Sequence, residues 1–131
     1  MALKDGNGGK PWYLWEKPLA MHEPDAIATA KKLYQDDIAF YCVMQYWFHK
    51  QWYKLKHYCN KRGITIVGDI PIYVAYDSVE VWSQPELFQL DDDHVPTAVA
   101  GCPPDVFSPS GQLWGNPLYN WNYHKETNYA W

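Results

Sequence analysis

Gly63-Ile-Thr-Ile-Val-Gly-Asp-Ile-Pro71 is the stretch that decides the fold. Its β-branched run from Ile64 to Val67 carries no charge, which is typical of a strand covered on both faces. A glycine separates this run from a helical pattern on its amino side, and a helix, a glycine stop and a buried strand make half of a βα repeat. The stretch therefore predicts an α/β fold with a strand at 64–67.

The helical pattern before Gly63 is the strongest periodic signal in the chain. Mostly apolar side chains recur at alternating spacings of three and four, which places them on one stripe of a helix. We expect one long amphipathic helix that ends near Gly63. A shorter helix is predicted to open at Pro24, because proline is tolerated in a first turn and good helix formers follow as far as Lys32. The stripe of the long helix consists of Ile38, Tyr41, Gln45, Phe48, Trp52, Leu55 and Cys59.

Three other segments carry local signals. Residues 1–23 are punctuated by glycine and proline, and we expect an ordered surface segment with little regular structure. Asp77-Ser-Val-Glu80 and Ser83-Gln-Pro-Glu86 have the spacing of a capping box and predict two short helical turns. Asp91-Asp-Asp-His94 lacks the remaining oxygen ligands and the turn glycine of a calcium loop, so a solvated loop is expected there.

The run from Gly101 to Trp121 combines four prolines and three glycines with aromatic and amide side chains. Because proline fixes φ and removes a backbone donor, neither a helix nor a central strand is expected in this run. Flat rings beside groups that recognise adjacent hydroxyls favour a sugar-binding loop. A proline-stiffened loop whose aromatics cover a core is the alternative, and composition leaves both open. The rings are Phe107, Trp114, Tyr119 and Trp121, and the polar groups are Asp105, Gln112 and Asn116.

Asp69 follows the predicted strand directly. A carboxylate at the carboxyl end of a buried parallel strand is in the position from which barrel enzymes build their sites. The alternatives are that Asp69 caps a turn or pairs with a buried arginine. The apolar run before it favours a functional role.

Composition excludes several classes of protein. A length of 131 residues with 47% hydrophobic side chains suits one domain with a sizeable core. An aromatic fraction of 18% exceeds what such a core needs, which indicates a ring-rich binding surface with carbohydrate as the candidate ligand. The net charge of -4 without a basic cluster argues against nucleic acid as a partner.

The cysteine spacing and the hydropathy indicate in which cellular compartment the protein is expected. Cys42, Cys59 and Cys102 lie at wide spacings that fit neither a disulfide framework nor a zinc site, which favours a reducing compartment. No run approaches the roughly 20 apolar residues that span a bilayer, and the first residues contain no apolar signal core. We expect a cytoplasmic, soluble protein without a membrane partner, a metal or a cofactor.

Two long motifs carry a family resemblance. They are Gly63-Ile-Thr-Ile-Val-Gly-Asp-Ile-Pro-Ile-Tyr-Val-Ala75 and, in the second loop, Gly101-Cys-Pro-Pro-Asp105 with Gly111-Gln-Leu-Trp-Gly-Asn-Pro-Leu-Tyr119. In this order they resemble the amylomaltases, the 4-α-glucanotransferases of glycoside hydrolase family 77. Shorter similarities to that family occur at Ala2-Leu-Lys-Asp5 and from Gln45 to Trp52.

The resemblance implies a partial (β/α)8 TIM barrel in which 64–67 is a barrel strand and 101–119 a substrate-binding loop. Residues 1–131 would then belong to a single catalytic domain, with 1–35 a subdomain or loop region and 36–131 the helix, strand and substrate loop. It implies maltooligosaccharides and α-1,4-glucans as partners. For Trp114 and Tyr119 a role in pinning the loop is the open alternative. The implied substrate-binding residues are Asp69, Asp105, Phe107, Ser108, Gln112, Trp114, Asn116 and Tyr119.

The resemblance also implies a retaining mechanism whose catalytic Asp, Glu and Asp would all lie beyond Trp131. We therefore expect a fragment from the first half of the barrel that holds substrate-binding parts and no catalytic acid. A non-catalytic glucan-binding module and an inert remnant are the alternatives. One departure is visible, because Val106 stands where family members often carry Tyr or Gly, and we expect the loss of that ring to affect the acceptor side of the cleft.

Overall fold

The computed structural model describes residues 1–69 and 71–131, so Ile70 of the quoted motif lies outside the described residues. The chain divides into two compact units, one of residues 1–10 and 24–70 and the other of residues 11–23 and 71–131. The helices are α1 (Ala2–Gly6), α2 (Lys17–Ala20), α3 (Pro24–Leu33), α4 (Gln35–Asn60), α5 (Val79–Ser83) and α6 (Trp121–Glu126), the 3-10 turns are Trp12–Leu14 and Pro85–Leu87, and the strands are β1 (Val99–Cys102) and β2 (Gln112–Pro117).

The first unit is built on the 26-residue helix α4, against which α1 and α3 pack. The Tyr41 hydroxyl donates a hydrogen bond to Asp5 Oδ2 at 2.5 Å, and this bond ties α4 to α1. This hydrogen bond is the main cause that raises the pKa of Tyr41, because ionisation of the phenol would place two negative charges side by side. Two predicted bounds are confirmed, since α3 opens at Pro24 and α4 ends three residues before Gly63.

The apolar stripe of α4 does not form a buried face. No residue of α4 is buried, and the stripe is half-buried only at its ends, at Ile38, Tyr41 and Cys59. Large apolar side chains also lie off the stripe on exposed surface, including Tyr46 and Trp47. The helix itself is confirmed, and its apolar stripe is largely exposed in this unit.

The strand predicted at 64–67 is absent from the structure. These residues adopt no regular structure, and Val67 is 88% exposed. The prediction of a strand buried on both faces is therefore wrong here. A parallel strand forms only beside hydrogen-bonded neighbours, and within residues 1–69 and 71–131 the sheet consists of β1 and β2 alone.

The second unit has the larger core. Trp12 lies at its centre, and its backbone N–H donates to Asp77 Oδ1 at 3.0 Å while its indole N–H donates to the Tyr76 carbonyl at 2.8 Å. The ring of Tyr13 stacks on Tyr76 with centroids 4.6 Å apart. Residues 1–23 thus contain short helices and a buried tryptophan, so the prediction of a surface segment with little regular structure was wrong. The buried core consists of Trp12, Ala20, Val81, Leu87, Phe88 and Tyr119.

Two short helical turns lie where the capping patterns predicted them, at α5 and at Pro85–Leu87. The cap of α5 is Ser78, whose side chain accepts the N–H of Val81, rather than the expected Asp77. Asp77 is used instead by the distant backbone of Trp12. The general prediction is confirmed, whereas the capping residue differs because a long-range donor occupies the aspartate.

The acidic residues at 91–93 form an exposed turn, and His94, which follows them, is half-buried. Asp91 Oδ1 accepts the backbone N–H groups of Asp93 at 3.0 Å and Val95 at 2.9 Å. Among the described residues, no three His, Cys, Asp or Glu side chains gather in a way that could hold a metal ion. Within residues 1–69 and 71–131, no helix has both the length and the apolar character needed to cross a membrane.

β1 and β2 form an antiparallel pair with Gly101 opposite Leu113 and Cys102 opposite Gln112. Both strands extend into the run for which no strand was expected, and that expectation was wrong. Three of the four prolines, Pro103, Pro104 and Pro109, lie between the strands, where a missing N–H costs no ladder bond, and Pro117 is the last residue of β2, opposite Val99.

The first prediction concerns the indole N–H of Trp12. Trp12→Phe keeps an aromatic ring but leaves the partly buried Tyr76 carbonyl without its donor, so we expect the free energy of unfolding to fall by about 1–3 kcal/mol. Guanidinium denaturation followed by circular dichroism measures the loss. The matched control is Trp121→Phe at an exposed tryptophan, which should stay within roughly 0.5 kcal/mol of the parent chain. Equal losses for the two variants would contradict the role of the indole bond.

Candidate functional site

The structure places the eight predicted site residues in both units. Asp69 is an exposed residue of the first unit, and the other seven lie in the second unit on β2 and the segments that flank it. Three of the seven lie in the loop that connects β1 to β2, three lie on β2, and Tyr119 follows β2. The rings of Trp114 and Tyr119 belong to a set of rings that extends from β2 into the core.

The rings form what we term the aromatic row, which consists of Trp114, Tyr73, Tyr119 and Phe88. Their centroids are separated by 6.1 Å from Trp114 to Tyr73, by 6.5 Å from Tyr73 to Tyr119 and by 5.3 Å from Tyr119 to Phe88. Exposure falls along the row, from 49% at Trp114 to 5% at Tyr119. The row therefore begins at the surface and ends in the core.

Trp114 is held by its strand neighbour. Its indole N–H donates to Gln112 Oε1 at 2.9 Å. Residues two apart on a strand share a face, so the amide and the ring stand side by side. The indole is thus both oriented and half exposed, a combination that suits stacking on an apolar face of a ligand.

Tyr119 belongs to the core rather than to the surface. Its ring packs on Phe88, and its hydroxyl is buried without a hydrogen-bond partner among the described residues. Burial raises the pKa of Tyr119, and the negative charge of Glu80 adds to this effect. This position supports the alternative that the ring pins its segment to the core.

Asn116 has a structural partner as well. Its Nδ2 donates to the Val74 carbonyl at 2.8 Å, which ties β2 to the segment that follows Asp69 in the sequence. Tyr73 of that segment was missed by the sequence analysis, although it stands inside the motif that carries the resemblance. The sequence signal for Tyr73 was its place in that motif, where it is an aromatic residue four positions after the candidate carboxylate Asp69.

The connection between the strands, residues 103–111, is closed by its own hydrogen bonds. Asp105 Oδ1 accepts from the backbone N–H groups of Phe107 and Ser108, and Ser108 Oγ donates to the Gly111 carbonyl at 2.7 Å. Phe107 points out of this loop and is 89% exposed. The sequence thus identified residues that the structure brings together, but their mutual contacts were not visible in it.

The model of glycoside hydrolase family 77, described as 4-alpha-glucanotransferase, matches residues 1–131. The chain therefore belongs to the 4-alpha-glucanotransferase family. This confirms the resemblance seen in the two motifs.

Individual relatives agree with this assignment. The chain is 47% identical over 131 residues to a 4-alpha-glucanotransferase of Aquifex aeolicus, covering 100% of this chain and 27% of that protein. It is 50% identical over 122 residues to one of Thermus thermophilus, covering 93% of this chain and 24% of that protein. It thus spans about a quarter of the length of these relatives.

A solved structure shares the fold. Amylomaltase from Streptococcus agalactiae in complex with acarbose matches with a TM-score of 0.92 and 51% identity, over 100% of this chain and 27% of that one. The mixture of helices and strands described above is therefore that of a segment of an α/β amylomaltase.

The second prediction tests how tightly the hairpin is built. A Cβ at Gly111, where φ is +73°, would lie 2.6 Å from the Cys102 carbonyl oxygen, whereas a Cβ at Gly115, where φ is +79°, would meet no atom within 4 Å. Gly115→Ala should cost only the left-handed conformation, roughly 1–2 kcal/mol. Gly111→Ala adds a clash that costs about 1–3 kcal/mol more.

Amide hydrogen exchange of β1 and β2 measures both glycine variants locally. We expect faster exchange across the hairpin in Gly111→Ala than in Gly115→Ala. Identical exchange in the two variants would show that the close approach at Gly111 does not hold the strands together.

Proposed function

We propose that this chain serves as the glucan-binding part of a 4-alpha-glucanotransferase, which transfers a segment of α-1,4-glucan to an acceptor glucose or maltooligosaccharide. The observation that carries the proposal is the likeness to the Streptococcus agalactiae amylomaltase solved with acarbose, at 51% identity over the whole chain. An exposed and oriented tryptophan on a rigid hairpin supports it independently.

The chemistry that we propose for the complete enzyme is a retaining double displacement. Such a reaction needs two carboxyl groups held about 5 Å apart on either side of the scissile bond. The family resemblance assigns these acids to segments other than these 131 residues, and we infer that this chain contributes binding and not covalent chemistry. On the same grounds we propose that it forms part of a (β/α)8 barrel.

The binding roles divide between polar and aromatic groups. Asp69 would accept hydrogen bonds from hydroxyls of the transferred sugar, since a carboxylate is a strong acceptor. Gln112 lies beside Trp114, where its amide N–H₂ group would reach a hydroxyl of a bound glucan. Phe107 and Trp114 would stack on apolar faces of glucose units, because their rings are exposed and their backbones are held in place.

Three further predicted residues would support these contacts structurally rather than bind the sugar directly. Ser108 closes the connecting loop, Asn116 ties β2 to Val74, and Tyr119 anchors the aromatic row. Transfer must compete with hydrolysis, so the acceptor sugar has to displace water from the site. An apolar, preformed loop beside the sugar would favour that displacement.

The third prediction tests glucan binding with two tryptophans of equal exposure. Trp114 is 49% exposed in the hairpin, and Trp47 is 50% exposed on α4. Trp114→Ala should weaken maltoheptaose binding about tenfold, which corresponds to roughly 1.4 kcal/mol. Isothermal titration calorimetry measures the dissociation constant, with the β-linked cellohexaose as the control ligand.

For Trp47→Ala the affinity should stay within about twofold of the parent chain. The proposal is contradicted if both alanine variants bind alike, or if the parent chain does not distinguish maltoheptaose from cellohexaose. Either result would favour the alternative that the hairpin aromatics serve packing alone.

The fourth prediction concerns the division between binding and chemistry. The 131-residue chain incubated with maltotriose should release no glucose above a blank, because the proposal assigns both reactive carboxylates elsewhere. The Streptococcus agalactiae amylomaltase serves as the positive control in the same coupled glucose assay. Glucose release by this chain would show that the two acids are present within it.

A further inference from the structure

The carboxylate of Asp105 accepts hydrogen bonds from the backbone of its own loop. Its Oδ1 accepts the backbone N–H of Phe107 at 2.9 Å and that of Ser108 at 2.8 Å. The backbone N–H of Asp105 in turn donates to the Ser108 carbonyl at 3.0 Å. Three hydrogen bonds therefore fix the backbone on both sides of Val106, and two of them use a single side-chain oxygen.

A second set of bonds closes the carboxyl side of the same loop. Ser108 Oγ donates to the Gly111 carbonyl at 2.7 Å, and the N–H of Gly111 donates to the Ser108 carbonyl at 3.0 Å. Ser108 thus belongs to both sets. The hydrogen bonds that hold residues 105–111 thus join residues of the loop itself.

The side chains carried by this loop face outward. Val106 is almost fully exposed, and Phe107 is 89% exposed. An exposed ring on a mobile loop would lose backbone and side-chain entropy when a ligand orders it, whereas a ring on a loop that is already closed avoids most of that loss. The bonds of Asp105 therefore bear directly on how well Phe107 can bind.

We propose that Asp105 is a positioning residue that acts through Phe107, by holding the loop in the conformation that presents the ring to a sugar. The inference rests on the proposed glucan-binding function and deepens it, because it assigns Asp105 a backbone contact in place of the direct contact with a hydroxyl expected from the sequence. An acceptor oxygen at the Oδ1 position is sufficient for this role, and the negative charge is not needed.

Two substitutions separate geometry from charge. Asp105→Asn keeps an acceptor oxygen at the same distance from the backbone and removes the charge. Asp105→Glu keeps the charge but moves the carboxylate one methylene further out. Both changes lie on an exposed loop, so the buried core of the second unit should remain folded, which far-ultraviolet circular dichroism verifies.

The first readout needs no ligand. Nuclear magnetic resonance measures the exchange rates and temperature coefficients of the Phe107 and Ser108 amide protons. Asp105→Asn should leave both amides hydrogen-bonded, and Asp105→Glu should speed their exchange about tenfold or more, since a bond lost from an exposed turn opens it to water. Asp91→Ala is the control, because Asp91 accepts two backbone N–H groups in another turn and should not affect these amides.

The second readout is affinity for maltoheptaose. Asp105→Glu should raise the dissociation constant about fivefold to tenfold, and Asp105→Asn should leave it within about twofold. In a chain that carries Phe107→Ala, Asp105→Glu should cause no further loss, because a positioning residue has no effect once the group it positions is removed.

Three results overturn the inference: protected amides in Asp105→Glu, exposed amides in Asp105→Asn, and an Asp105→Asn chain that keeps its amide bonds but loses affinity. The last would assign the carboxylate a direct contact with sugar. If the parent chain binds no maltoheptaose, the proposed function fails for this chain, while the amide readout still decides whether Asp105 sets the loop.

Discussion

The second unit depends on one buried side chain that joins two distant parts of the sequence. Trp12 donates two hydrogen bonds to residues 64 and 65 positions away, Tyr76 and Asp77. An indole N–H and a backbone N–H that are removed from water must find acceptors, and a ring of this size buries more apolar surface than most core residues. The segment 11–23 is thereby fixed against 71–131, and the turns that carry Val81 and Leu87 pack on the same core.

The aromatic row links this core to the proposed binding surface. Tyr119 and Phe88 are buried in the core, Tyr73 is intermediate, and Trp114 is half exposed and hydrogen-bonded to Gln112. Rings that stabilise the fold thus support a ring that is available to a ligand. A binding side chain is positioned most accurately when the residues behind it are locked by packing, and here the packing belongs to the hydrophobic core itself.

The start of α3 and the end of α4 were predictable from the sequence, whereas α1, α2, α6 and both strands were not. The bounds of α3 and α4 follow from periodicity and from the helix-compatible proline, because the hydrogen bonds of a helix lie within its own segment. The strand expected at 64–67 is absent from the described residues, and β1 and β2 formed in a run that was expected to exclude strands. A strand is defined by its partner, and the partner of Cys102 is Gln112, ten residues further along a proline-rich connection.

By itself, the sequence determined the family, the helices α3 and α4 and the chemical types of the site residues, because motifs and periodicity are properties of neighbouring residues. Only the tertiary structure decided what those residues do. It assigned Tyr119 to the core, turned Asp105 onto the amides of Phe107 and Ser108, and paired Asn116 with the Val74 carbonyl. Such roles depend on which backbone donor or acceptor comes within about 3 Å of a side chain, and that distance is set by the folded chain.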